Sequence, residues 1–345
     1  MKASCGGILR VFIALLLYAV VLTSAGNKKR PTEEERVKLW HKNVKHWPPR
    51  WHEHEETPEY QAKQIAREEE IMSIPGANER WENWMQFVAG RLVPKFTPMG
   101  FKVIQTPPQI QEKLYKKVMD AINKEWDDLP LEQEVEAIYG DLAPKFVDMD
   151  GLDWEVLNEL QSMHEEWGGM KLFPTSAYGV RLYQNGSSLV MHHDKTHTHV
   201  ISSIVHIAHE YHNDSRPWPI QIEDHDGNLH SVNLKPGQML FYESAKCLHG
   251  RMQTFHGKYY GSIFLHYAPV DKTKWGYDVE QVIASVPPHW NEGVVEDEGS
   301  RWAGQGITVD SMAAAGAPHR VVKGKFVHAR TSPHSYFEPP THDEL

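Results

Sequence analysis

The sequence predicts an α+β chain: a helical amino-terminal support region, then a mainly β core of antiparallel strands closed as a barrel or two-sheet roll. Two observations carry this. Apolar and aromatic residues recur at helical spacing from residue 27 to about 170, then at strand spacing from about Tyr178. The turn pairs Asp226-Gly227 and Pro236-Gly237 separate short alternating runs, as in hairpin-connected strands.

The helical elements come first. Thr32 and Glu35 form a capping box ahead of a Val37, Trp40, Val44, Trp47 stripe, which Pro48-Pro49 ends. Thr57-Pro58 supplies a cap and an N1 proline for a second helix. Trp81, Trp84, Met85 and Val88 mark a third. Ile110, Leu114, Val118, Ile122 and Trp126 mark a fourth, and Leu157, Leu160 and Trp167 a fifth. Such stripes are core faces, and His52-Glu53-His54-Glu55-Glu56 reads as a solvated charge run. Strands are expected at Gly179–Tyr183, Ser188–Met191, Val200–Ala208, Pro219–Glu223, Leu229–Leu234, Gln238–Glu243 and Tyr259–Tyr267. Residues 271–341 form a Gly-, Pro- and Ala-rich extension.

The ends of the chain carry address signals. Lys2 and Arg10 precede the apolar run Val11–Leu22, about the length of a signal-peptide core and short of the ~20 residues of a membrane span. Thr23-Ser24-Ala25 offers a cleavage site, so 1–25 is read as a signal peptide, with no stable span after cleavage. His342-Asp343-Glu344-Leu345 reads as an address for the ER-retention receptor, and the two ends together place the chain in the endoplasmic reticulum lumen. The net charge of −10 argues against nucleic-acid binding. With Cys5 in the signal, Cys247 stands alone and no internal disulfide is expected. Asn185-Gly186-Ser187 and Asn213-Asp214-Ser215 are glycosylation sequons.

The chemistry is concentrated in His192-His193-Asp194 and His249. In a strand His192 and Asp194 point to one face, and His193 to the other. Two imidazoles and one carboxylate form the facial triad that holds non-haem Fe(II) with open coordination positions. With 22 histidines in the chain an isolated His-x-Asp is weak evidence. His212-Asn213-Asp214 is a decoy in a turn-like stretch, and His256 and His266 are rivals to His249 as third ligand.

Around these residues the chain resembles the prolyl 4-hydroxylase branch of the Fe(II)/2-oxoglutarate dioxygenases. The likeness spans about Tyr178 to Pro269 and rests on Tyr183 through His192-His193-Asp194, on Lys235-Pro236-Gly237 through Tyr242, and on His249-Gly250-Arg251 through Gly257-Lys258 to Pro269. It implies a double-stranded β-helix, or jelly roll, over 171–270 behind a helical region at 26–170. It also implies that His192, Asp194 and His249 bind Fe(II), and that 2-oxoglutarate, O2 and L-ascorbate are used. Tyr183 and Lys258 would hold the co-substrate, with Arg251 or Arg181 as competitors for its distal carboxylate. A second tyrosine common in the family is Leu189 here. The implied reaction is hydroxylation of a secretory polypeptide, most simply on proline, releasing succinate and CO2. Three other readings stay open: another side chain, glycan or small molecule as target; a silent ER-resident binding protein; and a zinc hydrolase.

Overall fold

A computed structural model describes residues 57–132, 138–196, 198–213 and 216–271, with a few positions beyond, including a hairpin of His319–Val322 and Lys325–His328. The expected signal, first helical stripe, charge run and retention tetrapeptide lie outside the described residues.

Two antiparallel sheets face one another. The chain order is α1 (Pro58–Ser73), α2 (Ala77–Leu92), β1 (Phe101–Gln105), α3 (Pro108–Glu125), β2 (Ile138–Tyr139), β3 (Lys145–Phe146) and α4 (Leu152–Gly168). Eight core strands follow: β4 (Leu172–Tyr183), β5 (Ser188–His192), β6 (Ile201–Tyr211), β7 (Ile220–Glu223), β8 (Leu229–Val232), β9 (Gln238–Tyr242), β10 (His249–Arg251) and β11 (Gly257–Pro269). The major sheet runs β1-β9-β6-β11-β4-β3 and the minor sheet β2-β5-β10-β7-β8. Strands β4 to β11 thus pass between sheets in the order of a double-stranded β-helix.

Alternation along the strands explains the layers. On β11, Ile263, Leu265 and Tyr267 join a core with Leu114, Val118, Leu157 and Leu160 of α3 and α4. The intervening Ser262, Phe264 and His266 face the space between the sheets. Each such fully buried aliphatic side chain contributes about 2 kcal/mol of transfer free energy. The α3 stripe lies as its spacing predicts, with Ile110, Leu114, Val118 and Ile122 all buried. Tyr267 Oη also donates to the Leu157 carbonyl at 2.6 Å, fixing α4 to the sheet.

Helices α1 and α2 cover the other side, behind the minor sheet. Thr57 caps α1 by accepting from the Tyr60 N–H at 3.2 Å, and Pro58 opens it. Arg67 donates from Nη1 to Glu223 Oε1 at 3.0 Å and from Nη2 to Oε2 at 2.5 Å, linking α1 to β7 in a buried bidentate pair. On α2, Trp84 and Val88 are buried, while the side chains of Trp81 and Met85 lie outside the described set. Among the described residues no helix is long and apolar enough to cross a membrane.

Two details go beyond the sequence expectation. The region 26–170, expected to be mainly helical, also contributes strands: Phe101–Gln105 forms β1, an edge strand paired with β9, and β2 and β3 add short pairings to β5 and β4. Strand β4 also begins at Leu172, seven residues before the expected Gly179. The Asp226-Gly227 turn does join β7 to β8, and Gly227 takes the positive φ of 81° that glycine tolerates.

Candidate active site

The minor sheet builds the metal set. On β10, His249 sits opposite His192 of β5, and their ring centroids are 4.3 Å apart. Asp194 follows just past the end of β5, where its N–H donates to the Ser244 carbonyl at 2.9 Å. Asp194 Oδ1 lies 3.5 Å from His192 Nε2 and 3.8 Å from His249 Nε2. One ligand atom from each of the three falls within 4.8 Å of the others, a spacing that one ion spans.

Surrounding groups prepare these ligands. His249 Nδ1 lies 2.8 Å from the Cys247 carbonyl; a carbonyl only accepts, so Nδ1 carries the proton and Nε2 offers its lone pair. Burial, and then neighbouring His192, lower the His249 pKa to about 4 and keep the ring neutral. Burial opposes the charge of Asp194, yet its hydrogen bond with His192 and the nearby imidazoles of His249 and His266 hold it well below the usual carboxylate range. Tyr242, pushed well up by burial and then by Asp194, stays protonated and donates to Asp194 Oδ2 at 3.3 Å. The donor set is therefore two imidazoles and one carboxylate, and it fits Fe(II).

His193 points away, under α2. It is buried, and a Cβ added at Gly90 would lie 2.8 Å from its Nδ1. The rival ligands fall elsewhere. His256 and His212 are exposed, and Asp214 of the decoy lies outside the described residues. His266 Nδ1 bonds Ser202 Oγ at 2.8 Å instead of contributing to the metal set.

A cavity of about 340 Å³ opens beside the three ligands, between the sheets. Tyr183, Leu189, Arg181 and Arg251 line it, and Lys258 does not. The expected role of Lys258 is corrected here. Its side chain is exposed, with Nζ 5.2 Å from the centre of the Trp126 ring on the outside of the barrel. A register shift between Gly257 and Tyr259 lies at this position, so the alternation of β11 does not carry it inward.

Arg251, two residues after His249 on the same strand, is the buried cation of the cavity. It is 2% exposed, and its guanidinium lies 4.5 Å from the ring centres of both Trp218 and Tyr260. It donates to the Trp218 carbonyl at 2.5 Å and to Tyr260 Oη at 3.3 Å. No carboxylate among the described residues pairs with it. Arg181 is different: Nε and Nη2 donate to the two oxygens of Glu132, each at 2.6 Å. Its Nη1 donates to Tyr183 Oη at 3.3 Å, leaving the Tyr183 O–H to donate into the cavity. Glu132, which also accepts from Tyr178, was not singled out in the sequence. Its surroundings carry no motif.

No protein-family model matches the chain, and no curated protein matches it. Solved structures do. A prolyl-4-hydroxylase from Pseudomonas putida is similar at 12% identity over 53% of this chain and 100% of that one, with a TM-score of 0.39. A Trichoplax adhaerens prolyl hydroxylase, in complex with a hypoxia inducible factor peptide, is similar at 12% over 53% and 90%, with a TM-score of 0.40. HygX from Streptomyces hygroscopicus, with nickel, 2-oxoglutarate and hygromycin B bound, is similar at 10% over 58% and 92%, with a TM-score of 0.37. At such identities the fold stands on this chain's own strand order, and the site on its own residues.

Proposed function

We propose that the chain is an Fe(II)/2-oxoglutarate-dependent oxygenase that hydroxylates a secretory polypeptide in the endoplasmic reticulum lumen, on proline. One observation carries the oxygenase reading. A two-histidine, one-carboxylate ligand set shares a cavity with a buried guanidinium that no carboxylate among the described residues neutralises. Such a charge is costly to bury unless a ligand completes it. The lumenal address rests on the apolar Val11–Leu22 run and on His342-Asp343-Glu344-Leu345. Proline is the target that the resemblance implies.

The residues divide the work. His192, Asp194 and His249 would hold the metal from one side and leave the cavity side free. The chemistry that bound Fe(II) supplies is activation of O2 coupled to oxidative decarboxylation of 2-oxoglutarate to succinate and CO2. Arg251 would take the distal carboxylate of the co-substrate through its charged donors, and the Tyr183 O–H would donate to the same ligand. Trp218 and Tyr260, their rings nearly perpendicular and 5.2 Å apart, form an aromatic corner around Arg251 and keep water from competing with that pair.

Succinate release by the full chain with Fe(II), 2-oxoglutarate and ascorbate tests the reading, run with and without a proline-rich peptide. Peptide-stimulated succinate with peptide oxidation at proline is expected, with Asp194→Ala abolishing both. Succinate without peptide oxidation discards the proline target and leaves a glycan, small molecule or other side chain. Iron binding with no succinate sinks the oxygenase and favours a binding protein.

A further inference from the structure

We infer that the cavity mouth holds a carboxylate of the substrate on the Lys195 ammonium. The inference rests on the oxygenase reading and concerns the half of the cavity that the co-substrate does not use. Strand register separates the two halves. On the β5–β10 ladder His249 lies opposite His192, and Arg251 lies opposite Leu189. Arg251 is therefore displaced from the ligands toward the start of β5, whereas Lys195 comes after Asp194, past the other end. Both line the same cavity.

A charge inventory isolates Lys195. Arg181, Asp194, Lys195 and Arg251 are the lining residues other than histidine that carry charge. Glu132 neutralises Arg181, Asp194 belongs to the metal set, and Arg251 faces the co-substrate. Lys195 is partly buried, and no carboxylate or carbonyl among the described residues receives its ammonium. Other cavity-distant lysines are engaged: Lys246 donates to the Arg91 carbonyl and Lys95 to the His225 carbonyl, each at 2.9 Å.

The neighbouring histidine is fixed as an acceptor by hydroxyl proton counting. Ser244 Oγ donates its single proton to the His199 carbonyl at 2.6 Å. It must therefore accept from Ser202 Oγ, 2.6 Å away. Ser202 Oγ, its own proton spent, accepts from His266 Nδ1 at 2.8 Å. His266 therefore carries its proton on Nδ1, and the His199 ring stacks on it with centroids 3.7 Å apart. The His266 Nε2 is left as a lone pair on a ring that lines the cavity. That atom repels a carboxylate and accepts an N–H. One cation and one acceptor suit an acidic residue in a polypeptide, whose carboxylate meets Lys195 while a backbone N–H meets His266.

Calorimetric titration of the full chain tests this, under argon with Fe(II) and 2-oxoglutarate so that binding is read without turnover. Three amidated proline peptides differ only in the neighbour of proline, which is Glu, Gln or Lys. A fourth is the Gln peptide with a free C-terminal carboxylate. The Glu peptide is expected to bind about tenfold more tightly than the Gln peptide, the scale of one partly buried charge pair. Lys195→Gln should erase the difference, and Lys195→Glu should make the Lys peptide the tightest. An equal gain from the free terminus would support the carboxylate and assign it to a chain end. Equal affinities on the unmodified protein, no binding by any carboxylate probe, or a Glu preference that survives Lys195→Glu would each overturn the inference. Succinate release is measured separately, so loss of the oxygenase reading is not confused with loss of this one.

Discussion

Arg181 and Arg251 face the same cavity and meet the cost of burying a guanidinium in opposite ways. Arg181 has a full protein partner, a bidentate Glu132 that also accepts from Tyr178. Arg251 has, among the described residues, two aromatic faces and neutral acceptors only. The Arg181 wall is electrostatically complete without a ligand, while the proposed co-substrate would complete the Arg251 wall. Charge alone does not mark a binding residue; an unfilled partner does.

Substitution at Arg181 tests this contrast most severely. Arg181→Met strands Glu132 as a buried, unpaired carboxylate and should cost about 3–5 kcal/mol of folding stability. The double variant Arg181→Met, Glu132→Gln should recover much of it. Urea midpoints of the three proteins decide the matter, and a loss below about 1 kcal/mol in the single variant would remove the contrast.

His164 sharpens it by showing a third solution, burial without charge. Its Nδ1 donates to the Leu160 carbonyl at 2.8 Å, its Nε2 has no partner, and its ring lies 4.0 Å from that of Phe241. Burial lowers its pKa from 6.5 to about 4. The unfolded chain therefore takes the proton first as pH falls. The contribution is fully present above pH 6.5 and is lost between 6.5 and 4, on the order of 3 kcal/mol. His164→Phe should lose less stability than the parent between pH 7 and 4.5, by about that amount. Parallel stability curves would show that His164 is not discharged as described.

The smallest effect on the fold is expected at Arg251. Arg251→Met should weaken 2-oxoglutarate binding about thirtyfold or more while changing stability by less than about 1 kcal/mol. Lys258→Ala should leave 2-oxoglutarate affinity within about twofold, because an exposed cation outside the cavity contributes little. If the two variants exchange these outcomes in a direct binding titration, the carboxylate partner is Lys258 after all.

The parts legible in sequence were those written in local periodicity. His192 and Asp194 share a face because a strand alternates, and the α3 stripe fell at helical spacing. The resemblance points to Lys258, but the stretch from His249 to Lys258 crosses the turn after the three-residue β10 and a register shift at the start of β11. Spacing across a turn does not encode side-chain direction. β1 was missed because Phe101–Gln105 is short, mostly exposed and held as a strand by pairing with β9, a tertiary cause. Glu132 had no signal because its role depends on Arg181, 49 residues away.

The close approach of His193 to Gly90 gives α2 a mechanical part in coordination. His193 sits between His192 and Asp194 in the chain, so the ring packed against Gly90 is the backstop of the ligand segment. Any side chain at position 90 would press on that backstop from outside the barrel. A helix with no described residue lining the cavity thus backs the segment that carries two of the three ligands.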